Sequence, residues 1–204
     1  MIVRKSAAAV RAAAAGLLTA ALLLVPCGAR AADAPGSTHY VLDPAKSSLE
    51  FNFVQAGAQN KGRFTRFQVV LDFAADNLAA SRLDVTVDIN SVDTGDQERD
   101  DTVKGADLFA VAKFPQAHFA ASQINRTASG YEAVGKLTIR GVTRDATVPF
   151  SFRTATENGA AVGYMSGKTS VRRLDYGVGQ GDWKATDQVG NDVAVSFTLR
   201  LTAH

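Results

Sequence analysis

Residues 83–115, LDVTVDINSVDTGDQERDDTVKGADLFAVAKFP, contain the point at which a strand pattern gives way to a helical one. The segment begins with a period of two, typical of a half-buried strand, in which the apolar positions are Leu83, Val85, Val87 and Ile89. Asp96 is a suitable helix N-cap, and the charged run after it ends at Gly105, where a helix C-terminus is expected. We therefore predict a short helical insertion near residues 96–111.

Most of the chain outside this insertion has strand patterns separated by turn signals. The clearest segments are residues 49–53, 67–73, 117–126, 131–140, 143–154, 161–172 and 192–202. About eight antiparallel strands fit a barrel or a sandwich, and closure of a barrel removes exposed edges. We predict an all-β fold, a single extended antiparallel β-barrel of about eight strands. The alternation alone leaves open whether the interior is filled or hollow.

Residues 1–31 have the pattern of a secretory signal peptide. A basic start precedes an alanine-rich apolar run, and Ala29-Arg30-Ala31 is a small-x-small cleavage site. We predict a Sec-type signal with cleavage near Ala31, a single domain over residues 32–204, and a periplasmic or secreted location. The alternative is a lipoprotein anchored through Cys27, although Pro26 is a poor fit to a lipidation site.

Cleavage at this point changes the charge and the thiol content. It removes four of the 22 basic residues and none of the 20 acidic ones, so the remainder has a net charge of −2 and offers no basis for nucleic-acid binding. It also removes Cys27, the single cysteine of the chain. Residues 32–204 therefore contain no disulfide, no cysteine-ligated metal and no thiol nucleophile.

Three motifs suggest chemistry, but none has the context that the chemistry requires. Asp93-Thr94-Gly95 is the triplet of aspartic proteases, which need two such carboxylates, so a turn with local backbone bonds is favoured. The scattered His39, His118 and His204 have no ligand-spaced carboxylates, and we predict no metal site. The glycine-rich segment 177–181 is followed by no helix that could bind a dinucleotide.

Four segments, in order along the chain, resemble the signatures of the YceI-like family. They are INSVDTG at residues 89–95, KLTIRGVT at 136–143, RLDYGVG at 173–179 and the closing strand at 193–201. Arg173-Leu174 departs from the asparagine-arginine pair of many members. The run GQGDW at 179–183 is similar to a subgroup associated with membrane b-type cytochromes.

The resemblance implies a lipocalin-like periplasmic barrel whose apolar pore holds a long polyisoprenoid, a quinone or a similar amphiphilic lipid. It implies a carrier or buffer with no catalytic residue and no cofactor, acting as a monomer or dimer. The insertion would cover one end, its geometry fixed by Asp93, Thr94, Arg99 and Asp100. The alternatives are an accessory partner of a membrane cytochrome and a hydrolase that uses Asp93.

We predict an apolar lumen that contacts the lipid tail, with polar groups near the insertion and the 176–183 loop placing the head. The predicted lumen residues are Phe51, Phe53, Phe67, Leu71, Phe73, Leu83, Val85, Val87, Ile89, Leu108, Phe109, Phe114, Phe119, Phe150, Phe152, Trp183 and Phe197.

Overall fold

The computed structural model describes residues 36–204, so the predicted signal peptide lies outside the described residues. The strands are β1 (Thr38–Leu42), β2 (Ser48–Gln55), β3 (Ala58–Phe64), β4 (Phe67–Phe73), β5 (Arg82–Asp88), β6 (Val92–Asp93), β7 (Gln116–Thr127), β8 (Gly130–Ile139), β9 (Val142–Glu157), β10 (Ala160–Arg172) and β11 (Asp192–Ala203). Within residues 36–204 there is one α-helix, α1 (Gln97–Lys104). Short 3-10 turns occur at Pro44–Lys46, Leu78–Ala80, Ile89–Ser91, Arg173–Tyr176 and Gly181–Lys184.

All strand pairings are antiparallel, and the sheet closes because β1 pairs with both β4 and β11. At three positions around the barrel, two consecutive strands lie end to end and count as one: β1 with β2, β3 with β4, and β5 with β6. The eleven strands therefore form an eight-stranded barrel. This confirms the predicted all-β barrel. Asn158 and Gly159 both have positive φ, 52° and 80°, and connect β9 to β10 as the sequence predicts.

Local side-chain chemistry fixes the ends of α1. Asp96 is the N-cap and accepts a hydrogen bond from the Arg99 amide at 3.0 Å, while Gly105 follows the last helical residue. The buried Asp100 carboxylate accepts from both the amide and the hydroxyl of Thr94, at 2.9 and 2.7 Å. These bonds attach the helix to β6, and the helix is shorter than the predicted insertion, which continues as turns to residue 113.

One strand was missed by the sequence pattern. β3 is largely polar and contains Gly62, so it lacks the apolar alternation of a strand, yet residues 58–63 pair with β2 over six positions. Arg63 and Phe64 then pair with Asp93 and Val92 of β6. Backbone pairing with β2 thus overrides the weak strand signal of this segment.

Candidate ligand-binding site

A cavity of about 640 Å³ lies inside the barrel. Its wall follows β5 and the start of the next turn from Leu83 to Ile89, and β11 from Val193 to Leu199. Six residue steps of ~3.3 Å correspond to a depth on the order of 20 Å. The volume is within the range of roughly 300–1,000 Å³ that is typical of small-molecule sites.

The inward face of β11 shows where the interior is hollow and where it is filled. Val193, Val195 and Phe197 line the cavity and are only half-buried. Farther along the same face, Leu199 is 4% exposed and Leu201 is fully buried. The barrel is therefore hollow toward α1 and packed toward β1, with Leu199 and Met165 in the floor of the cavity.

Polar side chains line the cavity at the α1 end. Asp96, Arg99 and Thr102 come from the insertion, and Tyr176 and Trp183 come from the loop after β10. The two segments that the sequence proposed for a head group therefore share one cavity. Arg99 lies 3.9 Å from Asp96, a loose ion pair with a half-buried guanidinium.

Arg173 holds the loop that follows β10. It is 5% exposed, and its Nε and Nη atoms donate to the carbonyl oxygens of Gly190, Val178 and Val189 at 3.0, 2.9 and 2.7 Å. No carboxylate pairs with it in the described part of the chain, and burial lowers the pKa of the guanidinium. Its hydrogen bonds to backbone carbonyls compensate for removing the charge from water.

Tyr176 is the other buried polar residue of the cavity wall. Its ring packs with Leu108 and Val178 in a small apolar cluster. Burial raises the pKa of its phenol, although the nearby charge of Arg144 acts in the opposite direction. The phenol is therefore neutral at physiological pH and can donate a hydrogen bond to a ligand.

Four phenyl rings form a continuous strip on one wall. Phe53 stacks on Phe51 at 5.9 Å between ring centroids, Phe51 lies 5.2 Å from Phe64, and Phe64 meets Phe109 edge-on at 6.5 Å. All four line the cavity. The strip joins the β2–β3 hairpin to the segment after α1, and it presents a rigid apolar surface to a slender ligand.

Twelve of the seventeen predicted lumen residues line the cavity. They are Phe51, Phe53, Phe67, Leu83, Val85, Val87, Ile89, Leu108, Phe109, Phe119, Trp183 and Phe197. The other five, Leu71, Phe73, Phe114, Phe150 and Phe152, lie outside its wall.

Four of these five belong to the packed end of the barrel. Leu71, Phe73 and Phe150 are buried in the main core, where Phe152 contacts Phe73 at 4.7 Å between ring centroids. Phe114 instead packs against the backbone of Gly141. An inward position in a strand shows that a side chain points into the barrel, but not how far along the barrel axis it lies. The sequence pattern therefore could not distinguish the packed end of the barrel from the hollow end.

Several lining residues were absent from the predicted set. The apolar ones include Leu49, Phe64, Leu137, Ile139, Val148, Met165, Val171, Val193, Val195 and Leu199. Half of these ten had a signal, because the inward alternation of β11 and the KLTIRGVT motif already identified their strands. Tyr176 begins the 176–183 loop that the sequence proposed for the head group, whereas Arg173 had no signal beyond lying in the third family motif.

The Asp93 carboxylate lies outside the cavity and has partners. Arg63 donates to one of its oxygens at 2.7 and 2.9 Å, and the Gly95 amide donates to the other at 3.0 Å. These hydrogen bonds, that from Arg63 foremost, lower the pKa of Asp93. As predicted for a structural turn, the side chain bonds a nearby backbone amide.

Two further features of residues 36–204 concern metal binding and membrane spanning. No cluster of three or more histidine, cysteine or acidic residues is placed to hold a metal ion. No helix there is long and apolar enough to cross a bilayer.

Comparison with known proteins agrees with the geometry. A family model described as YceI-like domain matches residues 40–201. The chain belongs to the YceI-like family. A UPF0312 protein of Yersinia pestis (strain Pestoides F) is 34% identical over 155 residues, which cover 74% of this chain and 77% of the relative.

Solved structures give the same result. The crystal structure of BcnA from Burkholderia cenocepacia has 34% identity and a TM-score of 0.71, and the match covers 78% of this YceI-like chain and 98% of BcnA. A polyisoprenoid binding domain from Saccharophagus degradans has 18% identity and a TM-score of 0.59, covering 81% and 98%. The latter likeness concerns the fold alone.

Proposed function

We propose that this YceI-like protein binds a long-chain isoprenoid or similar amphiphilic lipid, of the polyprenyl or quinone type, and carries or buffers it in the periplasm. The observation that carries the proposal is the hollow apolar cavity at the α1 end of the barrel. Burying each methylene of a tail contributes roughly 0.8 kcal/mol, so a tail needs no directional contact. The name of the Saccharophagus degradans neighbour supports the same class of ligand.

The twelve predicted residues in the cavity wall are proposed to contact the tail, together with Val193 and Val195 of β11. The head group is assigned to the α1 end, because polar groups that can donate hydrogen bonds, among them Arg99, Tyr176 and Trp183, line the cavity there. An isoprenoid alcohol or a quinone has oxygen atoms that accept such bonds. The opposite orientation would place the polar head against the apolar floor at Leu199 and Met165.

Binding without chemistry fits this site better than hydrolysis. Asp93 is outside the cavity and is engaged by Arg63 and Gly95. Retinol, a fluorescent isoprenoid alcohol, can serve as a probe of binding. A hydrolytic role for Asp93 predicts that Asp93→Asn abolishes turnover of a bound ester while retinol binding persists. We expect instead that wild type and D93N show the same absence of turnover and the same affinity for retinol.

The test of binding combines extraction with a matched pair of variants. Protein purified from its native envelope is extracted with organic solvent, and mass spectrometry is expected to find a stoichiometric prenyl lipid. The variant V195F places a ring in the cavity, whereas A194F places the same ring on the exposed outer face of β11. Displacing two or three methylenes corresponds to ~2 kcal/mol, or about thirtyfold weaker retinol binding for V195F.

The control A194F is expected to bind retinol as wild type does. Repeated preparations without any hydrophobic molecule, together with no retinol binding by the wild type, would overturn the proposal. Equal affinities of V195F and wild type would place the binding site outside the barrel cavity.

Delivery of the lipid to a membrane b-type cytochrome remains a prediction from the 179–183 segment. Its test is a pull-down from solubilised native membranes with the wild type and with Trp183→Ala. Recovery of a cytochrome with the wild type alone would support this partner, and recovery of none would remove it.

A further inference from the structure

The wall of the barrel is interrupted beside the cavity, between β9 and β10. The pairing of these strands runs from Glu157↔Ala160 to Phe150↔Gly167 and stops there. Beyond that point residues 142–149 pair only with β8, and residues 168–172 pair only with β11. The part of β10 that has no partner in β9 extends over on the order of 16 Å.

The local sequence explains why the ladder ends at this level. Pro149 has no amide hydrogen, and a proline in a strand is normally confined to an edge. Gly167 meets the Pro149 carbonyl so closely that a Cβ on the glycine would lie 2.4 Å from that oxygen. The strands thus touch at Gly167 and separate toward the α1 end.

The separation opens onto the ligand cavity. Val148 on one side and Thr169 and Val171 on the other line the cavity and are half-buried. A second break in pairing, between the β1–β2 and β3–β4 positions of the barrel, also has residues that line the cavity, among them Leu49, Phe67 and Val69. There Val69 and the neighbouring Leu42 are 2% and 8% exposed and belong to the packed core. The β9–β10 break differs in that its cavity-lining residues, Val148, Thr169 and Val171, are all half-buried and none is a buried residue of the packed core.

The segment 173–178 occupies this break. It leaves β10 as a 3-10 turn, Arg173–Tyr176, and places Tyr176 and Val178 against Val142 of β9 and Val171 of β10. Within residues 36–204, one hydrogen bond joins the segment to β9, from Arg144 Nε to the Asp175 carbonyl at 2.6 Å. Its other outside bonds include those to Asn191 and, from the Arg173 side chain, those to the carbonyl oxygens of Gly190, Val189 and Ala185. Just beyond the segment, the amides of residues 179 and 180 donate to the Asp107 carbonyl.

We infer that the β9–β10 break is a lateral opening of the cavity, closed by the segment 173–178, through which an amphiphilic isoprenoid passes sideways. This inference rests on the proposed function. The segment has an apolar inner face and a single polar attachment to β9, so it can leave β9 without breaking any strand pairing. A tail would then slide between two strands instead of moving lengthwise past α1.

The test uses all-trans-retinol, an isoprenoid alcohol whose fluorescence reports binding, and bulky adducts at two places. In a Cys27→Ser background the chain has no other thiol. Asp175→Cys carries a polyethylene-glycol maleimide at the lateral opening, and Glu98→Cys carries the same adduct on the exposed face of α1, at the end of the barrel. Stopped-flow fluorescence then gives retinol association and dissociation rates, each compared with the unlabelled variant.

The lateral route predicts that the adduct at residue 175 slows both rates at least tenfold, while the adduct at 98 leaves them within twofold. The reverse pattern, or equal slowing by the two adducts, overturns the lateral opening and leaves the proposed function standing. Absence of retinol binding in every unlabelled protein overturns the proposed function itself, and the lateral opening with it.

A second variant tests the attachment without an adduct. Arg144→Gln is expected to raise the association and dissociation rates together, by about two- to tenfold, the range for loss of one hydrogen bond, with little change in Kd. Arg153→Gln is the matched control, because Arg153 lies on the same strand but stacks on Tyr164 at the outer face. Unchanged rates in R144Q, or equal changes in R153Q, contradict the role of the 144–175 contact.

Discussion

Two enlargements on the inward face of β11 should have different effects on the free energy of unfolding. Val195 and Leu201 are six residues apart on the same strand and face, but Val195 borders the cavity whereas Leu201 is fully buried. A phenylalanine at 195 can extend into empty space. A phenylalanine at 201 must displace neighbours that are already closely packed.

The structure sets the expected size of each effect. Overpacking a filled core typically costs about 1–3 kcal/mol, which is the loss expected for Leu201→Phe. Substitutions that meet no close neighbour usually change stability by about 0.5 kcal/mol or less, which is the expectation for Val195→Phe. The difference between the variants should therefore be about 1–2 kcal/mol.

Urea unfolding at 25 °C, followed by far-UV circular dichroism, measures this difference. The midpoint of L201F should fall with little change in the slope, and that of V195F should stay near wild type. The protein is delipidated beforehand, because a bound lipid would stabilise the wild type and not V195F. If V195F lost as much stability as L201F, the barrel interior at residue 195 would be filled and the reasoning would be refuted.

Three further predictions concern polar contacts. Asp93→Asn lowers Tm near neutral pH. Because the pKa of Asp93 is depressed in the folded state, the difference in Tm between the variant and wild type should narrow as pH falls below about 4. A constant difference in Tm across a pH series of thermal melts would contradict this. Asp100→Ala removes two bonds to Thr94 and costs about 1.5–3 kcal/mol in urea unfolding; no loss would show that Asp100 does not attach α1. Arg173→Met leaves the carbonyl oxygens of the 178–190 loop without their donor. Hydrogen exchange of the backbone amides should therefore accelerate in this loop and stay slow in β7 and β8. Equal acceleration in the loop and in these strands would refute the role of Arg173 in holding the loop.

The parts of the fold that were predicted correctly depend on local chemistry. Asp96 and Gly105 identify the ends of α1 because caps act within a few residues. The closing strand was recognised because its alternation is uninterrupted. The β9–β10 hairpin turns at Asn158-Gly159 because both residues tolerate positive φ. Such signals need no knowledge of the rest of the chain.

The features that were missed depend on distant parts of the chain. Leu71 and Val195 have the same inward pattern, and only the assembled barrel shows that one is in the packed end and the other beside the cavity. Arg173 is a charged residue after a strand, and its burial follows from carbonyl oxygens up to 17 residues away. The sequence did contain one sign of the break between β9 and β10, because Pro149 lies within a strand pattern.

The closed floor at Leu199 and Met165 gives the cavity a fixed length. For a lipid held tail-first, each added isoprene unit should strengthen binding until the tail reaches these two side chains, after which the gain per unit should cease. Longer chains would leave their surplus outside the barrel. The protein would then bind the tail-end isoprene units of many prenyl lipids about equally well, whatever their total length.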